Sequence, residues 1–324
     1  MSDPASATGT SSTSEATFRS FTKEQGDNYA QLRRDYNPAL YDFVLNHHTS
    51  TGGQLDTILD VGCGPGTAAR TLAQRFAHAI GIDPSEGMIN TARALGGSTS
   101  TAEPIRFEIA AAEDLGSLLS PPVSDGSVDL IVASTAAHWF NLPAFWAQAA
   151  RTLKPGGSVA FWCRGDPCIH SSMPNAPALQ AALLRFLARL DDYMEPGNRL
   201  ASKLYEGMAL PWSSPETPVP EFDEASFLRK AWSAADIATA PADNNLFADK
   251  RPVDLKTLEM ALGTMSPVKR WRDAHPDDVG TENDITRVVV REMESLLHEA
   301  GVEKGKEELI GEGLGVLVMV KKKV

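Results

Sequence analysis

Ile58-Leu59-Asp60-Val61-Gly62-Cys63-Gly64-Pro65-Gly66-Thr67, answered by Gly81-Ile82-Asp83, decides the fold. A short apolar run ends in an acid and opens into three glycines at alternate positions. An Ala-rich helical segment over 68–76 then leads to a second apolar run closed by Asp83. Strand, glycine turn, helix and strand make the first βαβ unit of a doubly wound sheet. Glycine at 62, 64 and 66 permits positive φ and lets a ligand approach the backbone to van der Waals contact. Asp83, at the end of the second strand, sits where such folds place the acid that accepts hydrogen bonds from a ribose diol. A dinucleotide fingerprint wants G-x-G-x-x-G, which would put Thr67 at the third glycine. The spacing here is G-x-G-x-G, with Asp60 two residues before the first.

Working outward, the 324 residues suffice for one large domain, and 42% hydrophobic with 22% charged residues is ordinary globular usage. The formal net charge of −12 gives no general attraction for nucleic acid or an anionic membrane, which demotes both as partners without excluding a local basic cleft. Cys63, Cys163 and Cys168 form neither a C-x-x-C pair nor a His/Cys cluster, so no metal is expected and a reducing, cytoplasmic setting is. No apolar run approaches a membrane span, and the N-terminus lacks a signal-peptide layout.

Residues 1–17 are Ser, Thr, Ala and Gly and are expected to be a disordered tail. Tyr29, Leu32, Arg33 and Tyr36 are helix-spaced, and Pro38 opens a second helix that ends near His47 and His48, read as solvated. After Asp83, Pro84-Ser85-Glu86 starts a helix with Met88, Ile89 and Ala92 inward. Strands follow over 105–110, 127–134 and 158–163, the last after the turn Lys154-Pro155-Gly156-Gly157. Beyond 166 the pattern predicts helices over 175–190, 255–262 and 286–299. A short sixth strand is expected near 225–232, an irregular stretch over 211–220 and a last strand over 315–320. The expected fold is therefore α/β, a doubly wound, seven-stranded, mostly parallel sheet with N-terminal helices and a C-terminal cap insertion. Its parts are a core over 55–165, a cap over 166–285 and a last helix and strand over 286–324 within one domain.

Asp60 to Gly66, Asp83, Glu113-Asp114, Ser134 to Trp139 and Leu153 to Gly157 follow, in order, the motifs of class I S-adenosylmethionine-dependent methyltransferases, which the stretch 55–165 resembles. Tyr29-x3-Arg33-x2-Tyr36, Ala137-His138-Trp139-Phe140, and Trp162 with Asp166-Pro167 are similar to the fungal trans-aconitate methyltransferase group, whose members esterify a carboxylate of a small polycarboxylic acid or related compound. The resemblance implies S-adenosyl-L-methionine as cofactor. It implies a seat made of Tyr29, Arg33, Asp60, Gly62, Gly64, Gly66, Asp83, Pro84, Met88, Ala112, Glu113 and Ser134. Within that seat the glycines would face the methionyl and ribose part, Asp83 the ribose hydroxyls, Met88 the adenine and Arg33 the cofactor's carboxylate. Ala111 stands where many relatives carry an acid at the adenine edge.

A carboxylate acceptor is ionised at neutral pH and needs no base, whereas a phenol or thiol would benefit from one. His138 is the candidate catalytic residue, either as that base or as a group that orients substrate. Tyr36, Trp139, Trp162 and Trp271 are candidate substrate contacts, although tryptophan is more often core. Arg164, Arg199, Lys203, Arg270 and Arg272 could each hold an acceptor carboxylate, and the sequence does not choose among them. The expected activity is methyl-ester formation on a small-molecule carboxylate, by a monomer or homodimer. The alternatives are a phenol or thiol O- or S-methyltransferase and a cofactor-binding protein that transfers no methyl.

Overall fold

The structure is a computed structural model that describes residues 19, 21–213, 217–239 and 245–324. The expected tail over 1–17 and part of the irregular stretch near 214–216 lie outside the described residues.

Two helices precede the sheet, α1 (Lys23–Leu32) and α2 (Pro38–Ser50). Thr22 and Gln25 form a reciprocal capping box on α1, and Asn37 caps α2 with Pro38 in its first turn. The chain then alternates: β1 (Thr57–Val61), α3 (Thr67–Ala73), β2 (His78–Asp83), α4 (Glu86–Leu95), β3 (Arg106–Ile109), β4 (Val128–Ser134), α5 (Leu142–Thr152) and β5 (Leu153–Arg164). The remainder comprises α6 (Ala176–Arg189), α7 (Pro196–Ser202), β6 (Phe222–Trp232), α8 (Ala234–Thr239), β7 (Val253–Asp254), α9 (Leu255–Gly263) and α10 (Ser266–Ala274). It closes with α11 (Ile285–Glu299), β8 (Glu308–Leu309) and β9 (Gly315–Lys322). No helix among the described residues is long and apolar enough to cross a membrane.

Seven strands form one sheet in the order β3-β2-β1-β4-β5-β9-β6, and only β9 runs against its neighbours. The order reverses between β1 and β4, and ligands of open α/β sheets bind outside the carboxyl ends of the strands at such a point. Alternate residues of β4 enter two different cores. Leu130 and Val132 join α2, α3 and α4 on one face, while Ile131 and Ala133 join Phe145, Trp146 and Ala149 of α5 on the other. A third core lies in the cap, where α6, α9, α10 and α11 bury Leu183, Phe186, Leu262, Trp271, Val289 and Met293. By this packing α11 belongs with the cap helices rather than with the sheet.

Several expectations are corrected. The first helix stops at Leu32, and Arg33 is already extended, with φ −88° and ψ 107°; Tyr36 therefore sits in a connecting segment that crosses the ends of the strands. β5 begins at Leu153 and β6 runs for eleven residues with a register shift, both longer than the sequence suggests. His48 is not solvated. It is fully buried, with Nδ1 2.8 Å from Ser158 Oγ and Nε2 2.8 Å from the Gln54 carbonyl. A carbonyl only accepts, so Nε2 carries the proton and Ser158 donates to Nδ1. Burial pushes the His48 pKa down.

Candidate functional site

A cavity of about 510 Å³ opens outside the carboxyl ends of β1, β2, β4 and β5, between them and the cap. One wall is the expected seat. Gly62, Gly64, Asp83, Pro84, Met88 and Ala112 line it, with Glu113 at its edge. Gly62 and Gly64 both have positive φ, at 64° and 52°. A Cβ on Gly62 would meet the Ala136 Cβ at 2.6 Å, while one on Gly64 would meet nothing within 4 Å and would fill the space a ligand needs. Asp83 holds the turn from below, accepting from the Gly64 amide at 2.9 Å and from the Ser85 amide at 2.8 Å.

Asp60 and Gly66 do not line the cavity; Asp60 is buried in β1 and Gly66 caps α3 at φ 81°. Asp60 is buried with neither carboxylate oxygen hydrogen-bonded. The Ala69 amide of α3 favours its charged form. Burial pushes Asp60 up to about 8, against that amide, and Asp83 adds to the rise.

Helix α1 delivers the next part of the site. Gly26 and Gly87 let α1 and α4 approach closely: a Cβ on Gly26 would lie 2.7 Å from Thr91 Oγ1 and 3.0 Å from the Gly87 carbonyl. Tyr29 and Arg33 thereby face the cavity, the guanidinium 5.3 Å from the Tyr29 ring centroid. Arg33 Nε is buried with no hydrogen-bond partner among the described residues, a donor that an anionic group in the cavity would satisfy. The open glycine cradle, the Asp83 acceptor and the orphaned Arg33 donor together fit a nucleoside-bearing amino-acid cofactor.

The floor is strained. Thr135 donates its amide to the Trp162 carbonyl at 2.7 Å and then turns at φ 53°, an uncommon state for a β-branched residue. Its hydroxyl meets the Tyr36 hydroxyl in a very short hydrogen bond. The turn brings Ser134, His138 and Trp139 to the cavity. His138 Nδ1 lies 3.1 Å from the hydroxyl of Tyr205, a buried side chain that sequence reasoning missed. Leu204 and Tyr205 hold that contact at φ 51° and 59°, two consecutive left-handed non-glycine residues. His138 is half-buried because one edge opens on the cavity, and burial holds its pKa down at about 3. Cys163 in the same floor is pushed up to about 12 by burial, which leaves it a thiol.

The cap forms the opposite wall. A Cβ on Gly197 would lie 2.5 Å from the Trp139 ring, so glycine is what lets α7 close on the His138 turn. Trp162 and Trp271 do not wall the cavity, correcting that expectation. Trp162 is fully buried in the sheet core, with Tyr36 and Tyr41 edge-on to it, and Trp271 lies in the cap core, stacked on His275 at 4.3 Å. Of the five candidate cations only Arg164 lines the cavity. Arg199, Arg270 and Arg272 are engaged by Asp191, Glu195 and Asp284, and Lys203 is exposed elsewhere. Arg164 lies 4.9 Å from the Tyr36 ring centroid and donates to the Asp35 carbonyl at 3.0 Å, with no carboxylate partner among the described residues. One group there could approach a metal ion, Glu294, His298 and Glu307. It lies outside the cavity lining, and His298 already meets Glu307 at 2.6 Å.

Comparison with known proteins agrees with this geometry. Residues 58–157 match the methyltransferase domain family. The probable S-adenosylmethionine-dependent methyltransferase CRG1 of Saccharomyces cerevisiae is 24% identical over 83% of this chain and 87% of its own length. The trans-aconitate 2-methyltransferase of Delftia acidovorans is 34% identical over 39% of this chain and 48% of its own. The chain thus spans about half the length of that relative, as it does of a Dictyostelium discoideum methyltransferase candidate, at 46%. A solved type II methyltransferase candidate from Anaeromyxobacter dehalogenans superposes with a TM-score of 0.54 at 21% identity, covering 90% of this chain and 97% of that one. Residues 58–157 thus carry a methyltransferase domain, and these likenesses support a class I S-adenosylmethionine-dependent methyltransferase, with S-adenosyl-L-methionine as its cofactor.

Proposed function

We propose that the protein moves the methyl group of S-adenosylmethionine to a carboxylate of a small molecule, forming a methyl ester. When bound, the cofactor supplies an electrophilic methyl carbon for in-line displacement. The chain's own residues supply alignment and dryness. Tyr29, Arg33, Asp83 and Met88 would hold the cofactor, with Glu113 at its edge, and the cap would exclude water from the acceptor side.

The observation that carries this reading is Arg164, a cation that faces the cavity without a carboxylate partner among the described residues. His138 supports it: an imidazole held at about 3 is a poor base for a phenol, whereas a carboxylate arrives ionised. On this reading His138 orients the acceptor. A trans-aconitate methyltransferase among the relatives is in keeping with a carboxylate acceptor. The same proposal includes a monomer or homodimer acting on free small molecules, not on nucleic acid or at a membrane. The three free cysteines fit a cytoplasmic setting.

Incubation with S-adenosylmethionine and a panel of carboxylic acids, phenols and thiols, followed by mass spectrometry, tests the reading. A base-labile methyl ester is expected. Methylation of a phenol or thiol alone would overturn the carboxyl reading and return His138 to the role of base. Cofactor binding without turnover on any acceptor would favour a non-methylating protein.

A further inference from the structure

We propose, building on the carboxyl-methylating reading, that the acceptor is a monocarboxylic acid with an apolar body, and that the cap wall rejects a second carboxylate. Leu258, Ala261, Leu262 and Met265 stand at helical spacing along α9 and its C-terminal turn, and all four line the cavity. Met194 and Pro267 extend the same apolar surface.

The polar side chains on this wall are occupied with one another. Asn198 donates to Ser266 Oγ at 3.0 Å and its carbonyl accepts from the Glu195 amide at 3.1 Å. Ser202 donates to Asp166 Oδ1 at 2.8 Å. What this wall presents to an acceptor is therefore mainly carbon, and a ligand with several polar groups would leave them without partners.

Charge points the same way. Asp166 and Glu312 both line this side of the cavity. Neither is ion-paired to an arginine or lysine among the described residues; Glu312 has only His170, at 3.8 Å. Among the described residues on this side of the cavity, Arg164 is the cation placed to take an acceptor carboxylate. Arg34 is tied to Asp249 and to the Arg251 and Pro252 carbonyls, Arg19 is exposed to solvent, and Arg33 sits at the seat with its orphaned Nε. One acid group fits Arg164. A second on the same molecule would face Asp166 or Glu312, and like charges brought together are strongly unfavourable.

Calorimetric titration of the full chain, held with S-adenosylhomocysteine, with octanoate and with octanedioate tests this at equal carbon count. Octanoate is expected to bind at least about tenfold tighter, and each further CH₂ in the monoacid series to tighten binding about three- to fourfold until the cavity is filled. Arg164→Gln should weaken octanoate about tenfold or more. The double variant Asp166→Asn, Glu312→Gln keeps the arginine and should bring octanedioate up towards octanoate. Octanedioate binding as tightly as octanoate, or no dependence on chain length, would overturn the inference. Ester formation, measured separately, keeps the two readings apart. If diacids are the preferred binders and are esterified, the carboxyl reading stands and this inference falls. If octanoate binds as expected but only a phenol is methylated, the carboxyl reading falls and takes the monocarboxylic acceptor with it, while the wall's preference for an apolar body stands.

Discussion

The two walls of the cavity are built on opposite plans. The cofactor wall comes largely from the ends of neighbouring strands, and those parts lie close in sequence: Gly62 to Pro65, then Asp83, Pro84 and Met88, then Ala112 and Glu113. Backbone amides, one carboxylate and Arg33 do its work, and the Arg33 Nε donor has no partner among the described residues. The cap wall gathers Met194, Asn198, Leu258, Met265 and Glu312 from across more than a hundred residues, and it spends its polar groups internally. Backbone-made sites suit a ligand common to a whole family, because amides do not change with side-chain substitution. Side-chain-made walls are where an acceptor is selected.

The largest expected effect lies on the first wall. Gly62→Val combines a left-handed φ with a Cβ 2.6 Å from Ala136, and should weaken S-adenosylhomocysteine by about a hundredfold or more in calorimetry. Retained affinity would mean that the turn is more pliable than its contacts indicate. Asp83→Ala comes next. It removes the acceptor for two backbone amides and, on the proposed cofactor seat, for a ribose, and should cost about 10–100-fold in the same titration. An effect of that size on acceptor affinity instead would blur the division between the walls.

Buried groups of opposite charge type around the site and sheet should respond oppositely to pH. Asp60 has its folded pKa raised to about 8, so the unfolded chain releases its proton first and stability falls as pH rises through that range. Asp60→Asn should therefore gain on the wild type in denaturant melts between pH 5 and pH 8. His138 is lowered to about 3 and His48 is also lowered, so the unfolded chain takes up protons first and stability falls as pH drops below the ordinary histidine range. His138→Gln should gain on the wild type as pH falls from 7 to 5, and kcat/KM of the wild type should show no histidine limb near neutrality. A limb there would place His138 in a wetter site than its burial indicates. The smallest effect is expected from Tyr205→Phe, which deletes the hydroxyl at His138 Nδ1 and should cost about 1 kcal/mol of stability. A fall in kcat with KM unchanged would identify Tyr205 as a positioning residue, whereas a stability loss alone would leave it a packing residue.

The sequence by itself determined the sheet, the glycine turn and the methyltransferase motifs. Each is written in contiguous residues: β1 ending at Asp60-Val61, glycines where φ must be positive, and Asp83 one strand later. Short-range periodicity also placed α9 and α11 within one residue of their observed ends. Tertiary structure alone decided which residues meet. Trp162 and Trp271 read like pocket aromatics but are core, because strand alternation and helix facing turn them inward. His48 reads as solvated but faces Ser158, a hundred and more residues away. Arg164 could not be told from four other cations until the fold paired three with acids and left one exposed elsewhere. Tyr205 carries no local signal at all: its hydroxyl reaches His138 only because two left-handed residues turn the chain there. Backbone-made features are local and can be read in order, while side-chain pairing depends on distances that only the packed chain sets.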